Sequence, residues 1–312
     1  MDRSDYLQQL HSRFSVAQSE IIATVEAALS VPVTNLTRII KGDEYEVHRV
    51  QLRDDSTVYL RVDFPGTPVS MVEHEAWAMS CARDDGAPVP EVLGVSVIDD
   101  DIGPRAAMLV RASPGRPLAG VLASLLPTQR STIMSNIGNV LAGLHSVRMP
   151  GAGRPNADGA WMTPAQERDR RLSDCLAAVH QLRVAAFSPG DIDRVKRALQ
   201  QDCPSAENPV LCHGDISPEH VFVDSDLNVV GLIDWGMWSA GPAVAELAGL
   251  DIRLSEPDYF ALATGYGRHE IRADSMRWHA IAQLVHQIDW LVSSEQAEEL
   301  ERPASVLREF LP

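Results

Sequence analysis

Lysine is nearly absent from this 312-residue chain. The basic residues are almost all arginine, with lysine at Lys41 and Lys196 alone, so a mechanism that needs a lysine has few candidates. Cysteine is sparse as well. Cys81, Cys175, Cys203 and Cys212 are scattered, with no CxxC pair and no metal spacing. They read as the reduced thiols of a cytoplasmic protein. The first residues, Met1-Asp2-Arg3-Ser4-Asp5, carry no basic segment leading into an apolar run, so no secretory signal is expected. No uncharged run approaches the ~18 residues that a membrane span needs. Internal repeats and low-complexity tracts are missing too. Positive charge is in deficit, since 27 Lys and Arg against 43 Asp and Glu leave a net −16. Such a surface repels nucleic acid and anionic membranes, which argues against both as main partners. It suits a cationic ligand, although solubility alone commonly accounts for an acidic surface.

What is present is globular, with 45% apolar and 22% charged residues. Cores stop growing near about 250–300 residues, so two lobes are expected. Val16, Ile21, Ile22, Val25, Ala28 and Leu29 predict an opening helix over 16–30. Three β-rich runs, 36–40, 46–50 and 57–62, are separated by the turns Lys41-Gly42-Asp43-Glu44 and Arg53-Asp54-Asp55-Ser56, which predicts a meander. Residues 70–83 place Met71, Val72, Ala76, Met79 and Ala82 on a helical stripe, with Glu75 near its middle. Further strands follow, the last over 106–110. The segment 111–117 then breaks the pattern and reads as a linker. Beyond it the chain turns helical over 128–147, again after the capping box Thr163-Pro164-Ala165-Gln166, after Ser188-Pro189, and from Ala243 onward. The expected architecture is α+β: a small mixed antiparallel-sheet lobe over 1–110, a hinge at 111–117, and a larger, mainly helical lobe over 118–312, with a cleft between them.

One stretch interrupts the helices. Val221–Val223 and Val229–Ile233 flank the turn segment 224–228 and predict a hairpin. A polar loop carrying Asp215 and His220 leads into it, and Asp234 leaves it. A carboxylate such as Asp215 can accept a proton from an attacking hydroxyl. Asp234, at the end of an apolar strand, suits a hard cation. Two carboxylates and a neighbouring polar ligand are what Mg²⁺-dependent phosphoryl transfer requires, because that chemistry is mostly positioning and charge neutralisation. His213, beside a glycine and after apolar residues, reads as a hydrogen-bonded structural residue and not as the base.

The pattern His213-Gly-Asp215-x4-His220, followed by Ile233-Asp234-Trp235, resembles the catalytic loop and metal-binding Asp of the aminoglycoside phosphotransferase family. His220 stands where that family usually has Asn, a variant similar to the macrolide phosphotransferases. The stretch 241–248, with Glu246 for the usual Asp, the helix segment Val140-Leu141-Ala142-Gly143-Leu144-His145, and the turn and strand 42–50 resemble further family motifs. The resemblance spans roughly residues 36–250 and implies a two-lobe protein-kinase-like fold. It implies Asp215 as catalytic base, Asp234 as Mg²⁺ ligand, and His220 as second metal ligand or its replacement. Arg61 would take the place of the phosphate-gripping lysine, paired with Glu75 or, alternatively, Glu73. Gly42 would belong to the phosphate-covering turn, and main-chain groups of Leu109, Val110 and Arg111 would meet the purine of ATP or GTP.

The expected activity is that of a small-molecule kinase phosphorylating a hydroxyl of an antibiotic, aminoglycoside, macrolide or related, and so conferring resistance. Acidic and aromatic residues of the C-terminal helices are candidate acceptor walls: Asp251, Asp289 and Trp290, with Glu256, Asp258 and Tyr259 beside them. Alternatives are a kinase of a small amino-alcohol metabolite and an inactive nucleotide-binding relative. A metal-dependent hydrolase would call for a further His/Asp cluster in the N-terminal half, and none is found. The expected partners are a nucleoside triphosphate and a small-molecule acceptor, with no nucleic acid or membrane, for a cytoplasmic monomer or weak dimer.

Overall fold

The computed structural model describes residues 3–12, 15–41, 45–201, 203–204, 208–267, 273–294 and 296–311. The chain forms two compact units. The first takes Met1–Val121 and Ser217–Gly236, the second Leu122–Ile216 and Met237–Pro312.

The first unit begins with α1 (Arg3–Ser12) and α2 (Gln18–Leu29). An antiparallel sheet follows, made of β1 (Val33–Ile39), β2 (Tyr45–Leu52), β3 (Thr57–Asp63), β4 (Val92–Asp100) and β5 (Gly103–Arg111), in the order β1-β2-β3-β5-β4. The helix α3 (Val69–Asp84) is inserted between β3 and β4. Residues of β2 and β3 alternate between the two faces. Val50, Leu52, Val58, Leu60 and Val62 join Val16, Ile21 and Val25 in one apolar core. Strand parity puts Tyr45, Tyr59 and Arg61 on the opposite face.

Two polar residues fall on the core side, and a buried network answers them. Glu46 accepts from His48 Nε2 (2.9 Å), the fully buried Arg105 (3.1 Å) and the Val16 amide (3.2 Å). Burial works against the Glu46 charge, but the His48 hydrogen bond and nearby Arg38 outweigh it and hold the carboxyl below its usual range. The network fastens the segment around Val16 to the sheet.

The hairpin β8 (Val221–Val223) and β9 (Val229–Leu232) belongs to this unit, whereas the sequence placed it in the helical part. Backbone hydrogen bonding is the reason. Within the expected linker, Arg116–Pro117 forms a short strand, β6, that pairs with β8. The Ala119 amide donates to the Pro218 carbonyl (2.8 Å), and the Leu232 amide donates to Pro88 (2.7 Å). The change of unit therefore falls at 121/122 and not within 111–117.

The second unit holds α4 (Pro127–Leu144), α5 (Pro164–Ala178), α6 (Pro189–Gln200), α7 (Ala243–Asp251), α8 (Glu256–Tyr266), α9 (Ala273–Ser293) and α10 (Glu301–Glu309). A two-stranded ribbon of β7 (Val210–Cys212) and β10 (Ser239–Gly241) completes it. The expected capping box appears, with Thr163 accepting from the Gln166 amide, and the helix start at Ser188-Pro189 proves to be a second, with Ser188 accepting from the Asp191 amide. Val179, Leu182, Val195, Leu199, Val285, Ile288 and Leu307 form its core. Among the described residues no helix is long and apolar enough to cross a membrane.

Candidate active site

In the second unit, β7 delivers the chain to His213, Gly214 and Asp215. His213 is fully buried, and its Nδ1 accepts the Asp215 amide at 3.2 Å. A ring nitrogen that accepts an N–H has its lone pair committed. His213 thus shapes the loop, as its sequence setting implied. Gly214 holds φ +85°, and a Cβ there would run into the Met237 carbonyl oxygen, so only glycine fits. Glu246, on α7, accepts the Gly214 amide (2.6 Å) and the His213 amide (3.3 Å), and pairs with His145 (2.8 Å). Burial pushes against the Glu246 charge, but the His145 hydrogen bond, helped by His213 and the Gly214 amide, holds its carboxyl below the usual range. The Asp215 carboxylate is 39% exposed and meets Arg253 Nη1 at 3.4 Å. A pair this exposed stabilises weakly, so it leaves Asp215 open to exchange partners. Nothing in the sequence pointed to Arg253.

In the first unit, His220 Nε2 lies 3.3 Å from Asp234 Oδ2. The Ile233 amide donates to the His220 carbonyl (3.0 Å), which ties the two residues together through the backbone. Asp234 adopts φ +65°, a left-handed conformation uncommon for a non-glycine residue. Arg61, on β3, forks onto Glu75 of α3, with Nη1–Oε1 2.5 Å and Nη2–Oε2 2.7 Å. Of the two acids left open by the sequence, Glu75 is the partner, while Glu73 is exposed. Burial disfavours the Arg61 charge, but Glu75, with Asp63 at 3.5 Å, holds the guanidinium more firmly charged than usual.

Tyr45 escaped the sequence reading. Its ring centroid lies 4.0 Å from Arg61 Cζ, a cation–π contact. Its hydroxyl stands where a Cβ on Gly236 would be, so any larger residue two beyond Asp234 would push the Tyr45 side chain aside.

Gly42 lies outside the described residues. Leu109 and Val110 pair on both sides within the sheet. The Arg111 amide donates to Glu91 (2.9 Å) and the Ala112 amide to Thr57 (3.1 Å). Those donors are committed, so a purine read by main chain would need carbonyls of this stretch or donors from Ser113 onward. Asp251 ends α7, close enough to Tyr259 that burial and the Asp251 charge together push that phenol up to about 12. Asp258 is taken by Arg130 at 2.7 and 2.6 Å. Asp289 and the half-exposed Trp290 stand on α9 beside His286.

A family model described as the phosphotransferase enzyme family matches residues 37–280. A curated aminoglycoside 3'-phosphotransferase from Streptomyces ribosidificus is 27% identical over 131 residues, 36% of this chain and 50% of that protein. The chain thus matches half the length of this relative. A thermostable mutant of aminoglycoside phosphotransferase APH(4)-Ia superposes with a TM-score of 0.71 at 16% identity, over 94% of this chain and 99% of that one. The same enzyme is known in a ternary complex with ADP and hygromycin B, with a TM-score of 0.70 at 15% identity over 93% and 97%. Macrolide 2'-phosphotransferase MphH from Brachybacterium faecium gives 0.57 at 17% identity, over 93% and 97%. At these identities the superpositions establish the fold, and they bear out the α+β, kinase-like expectation.

Proposed function

The chain belongs to the phosphotransferase enzyme family, and from that premise we propose that it transfers the γ-phosphoryl group of ATP or GTP to a hydroxyl of an aminoglycoside- or macrolide-type antibiotic. The observation that carries the reading is the state of Asp215, a solvent-accessible carboxylate on a loop whose backbone is fixed by buried groups.

Phosphoryl transfer asks an enzyme for alignment and charge neutralisation more than for covalent chemistry. Asp215 accepts the hydrogen bond of the acceptor hydroxyl, aims its oxygen, and takes its proton as the new P–O bond forms and the β,γ-bridging bond breaks. Arg61, forked onto Glu75, presents a fixed cation to the donor phosphates. Asp234 and His220 suit a divalent ion. Asp234 would hold such an ion through carboxylate oxygen, the ligand a hard cation prefers, with His220 Nε2 beside it at 3.3 Å. Bound there, Mg²⁺ supplies neutralisation of phosphate charge.

The antibiotic acceptor is supported by the activities of the aminoglycoside and macrolide relatives and by the acidic net charge of −16, which suits an amine-bearing acceptor. Asp251, Asp289 and Trp290 are the acceptor-side residues of this proposal. The intact Arg61–Glu75 fork speaks against an inactive nucleotide-binding relative.

Nucleotide turnover with a panel of aminoglycosides, macrolides and amino-alcohol metabolites tests the reading. Asp215→Ala should lower acceptor-dependent transfer by about 10²–10⁴-fold while the nucleotide-induced rise in melting temperature persists. Equal transfer by the variant would sink the proposal. Stimulation by the metabolites alone would move the acceptor class.

A further inference from the structure

The two residues proposed to meet the donor phosphates and their cation stand on different sheets of the first unit. Arg61 lies on β3 of the five-stranded sheet, and Asp234 follows β9 of the three-stranded one. The fork onto Glu75 fixes Arg61 against α3, not against Asp234. Phosphates gripped at two points need those points at a fixed spacing. Tyr45, the first residue of β2, reaches both. It is half-buried, with its ring centroid 4.0 Å from Arg61 Cζ and its hydroxyl beside Gly236.

Both ends of this contact are held by other groups. The guanidinium spends one edge on Glu75, has Asp63 Oδ2 3.5 Å from Nε, and leaves only 11% of the side chain exposed. Tyr45 covers one face of its plane, so the ring cannot swing without giving up the cation. At the other end Trp235 is buried and donates from Nε1 to the Leu232 carbonyl at 3.0 Å, which anchors the turn after β9. The Gly236 backbone is not left-handed, so a side chain there is barred by its surroundings and not by φ. A Cβ would run into the tyrosine hydroxyl, with Asp234 Oδ1 3.6 Å away.

We infer that Tyr45 is a positioning residue of the donor site, its ring and hydroxyl together setting the spacing between Arg61 and the Asp234 turn. What the two ends bind rests on the phosphotransferase reading, whereas the link itself rests on geometry. The same contact accounts for arginine on β3. A guanidinium lies flat against a ring while its edge forks onto a carboxylate, and an ammonium cannot do both.

Three substitutions separate the two ends of the tyrosine. Tyr45→Phe keeps the ring and removes the hydroxyl, Tyr45→Leu removes both, and Gly236→Ala presses on the hydroxyl. Calorimetric titration with ADP and with GDP, each with and without Mg²⁺, reads the site without turnover. Binding without Mg²⁺ reports the Arg61 end, so it should hold within about twofold in Tyr45→Phe and weaken about tenfold in Tyr45→Leu, the size of one partly desolvated cation–π contact. The tightening that Mg²⁺ adds should shrink by about threefold or more in both variants, because the coupling between the two ends is lost. A tyrosine that only packs would leave that tightening at the parent's value, and this result overturns the inference. The nucleotide-free protein carries the second readout. Gly236→Ala should lower the melting temperature by about 2–4 °C in the parent, and by less than about 1 °C in the Tyr45→Phe background, where the obstacle is gone. Equal losses in both backgrounds overturn the contact. Should Tyr45→Leu fail to fold, Tyr45→Phe decides by its Mg²⁺ response. If the parent binds neither nucleotide, the phosphotransferase reading falls, and the melting cycle alone decides whether Tyr45 joins the two segments.

Discussion

Asp234 shows at residue scale how function and stability pull apart. Its φ of +65° belongs to the left-handed region, which costs a non-glycine residue roughly 1–2 kcal/mol. The nearby His220 does not offset this, because a partly exposed ion pair contributes only about 0–1 kcal/mol. A strained acid held beside an imidazole is what a cation-binding role would retain against the interest of folding. Asp234→Ala and Asp234→Gly remove the same pair, but only glycine relieves the backbone. The glycine variant should therefore be the more stable of the two by about 1 kcal/mol, a shift of about 2 °C in melting temperature. Equal melting temperatures would mean that the conformation carries no strain. Arg61 makes the complementary point. A chain with only two lysines puts a guanidinium at the position proposed to grip phosphate, and the fork onto Glu75 uses two nitrogens that an ammonium could not present in parallel.

At the scale of elements, α4 and α8 approach closely because glycines stand at their contact. A Cβ at Gly138 would run into the Leu262 carbonyl oxygen and the Tyr266 amide nitrogen, and one at Gly265 into the Ser135 carbonyl. Both obstacles are backbone, so neither can swing aside. Gly138→Ala should cost about 3 kcal/mol or more, the upper range for an overpacked core, and it should disturb Tyr266 as well. A denaturation midpoint equal to that of the parent would show that the helices can slide. Such contacts were not legible in the sequence, whereas the elements themselves were. The helix predicted over 70–83 is observed as Val69–Asp84, and the strand over 57–62 as Thr57–Asp63. Alternation, helical stripes, capping boxes and turns are local codes, each readable within about a dozen residues. α1 escaped because its ten residues carry little apolar stripe. The unit to which β8 and β9 belong escaped because β6, 104 or more residues earlier, decides it through main-chain pairing. His145 and Glu246 are 101 residues apart, and neither residue's own neighbourhood names the other. Arg61, Glu75, Asp215 and Asp234 were put forward by the family pattern, and of these the Arg61–Glu75 pair is observed.

For the whole molecule, buried titratable groups divide the acid response into two windows. His279 is 2% exposed, and burial with Arg171 nearby pulls its pKa down to about 3. His286 is lowered as well, chiefly by burial. In the unfolded chain both rings protonate near the ordinary value of 6.5, so between there and the folded value the unfolded state binds more protons. Stability is therefore full above pH 6.5 and falls as the pH drops below it, by up to about 1.4 kcal/mol per pH unit for each such histidine. Glu46 and Glu246 act lower down. Both are held below their ordinary value of 4.5, so their contribution is present above that value and is lost as the pH falls through the folded range. The first unit, fastened by Glu46, and the second, carrying His279, should consequently weaken at different pH values. His279→Gln should flatten the loss of melting temperature between pH 6.5 and 4.5 and leave the steeper fall below 4.5 in place. Thermal melts at half-unit pH steps measure both windows, and parallel curves for the variant and the parent would remove His279 as the cause of the upper one.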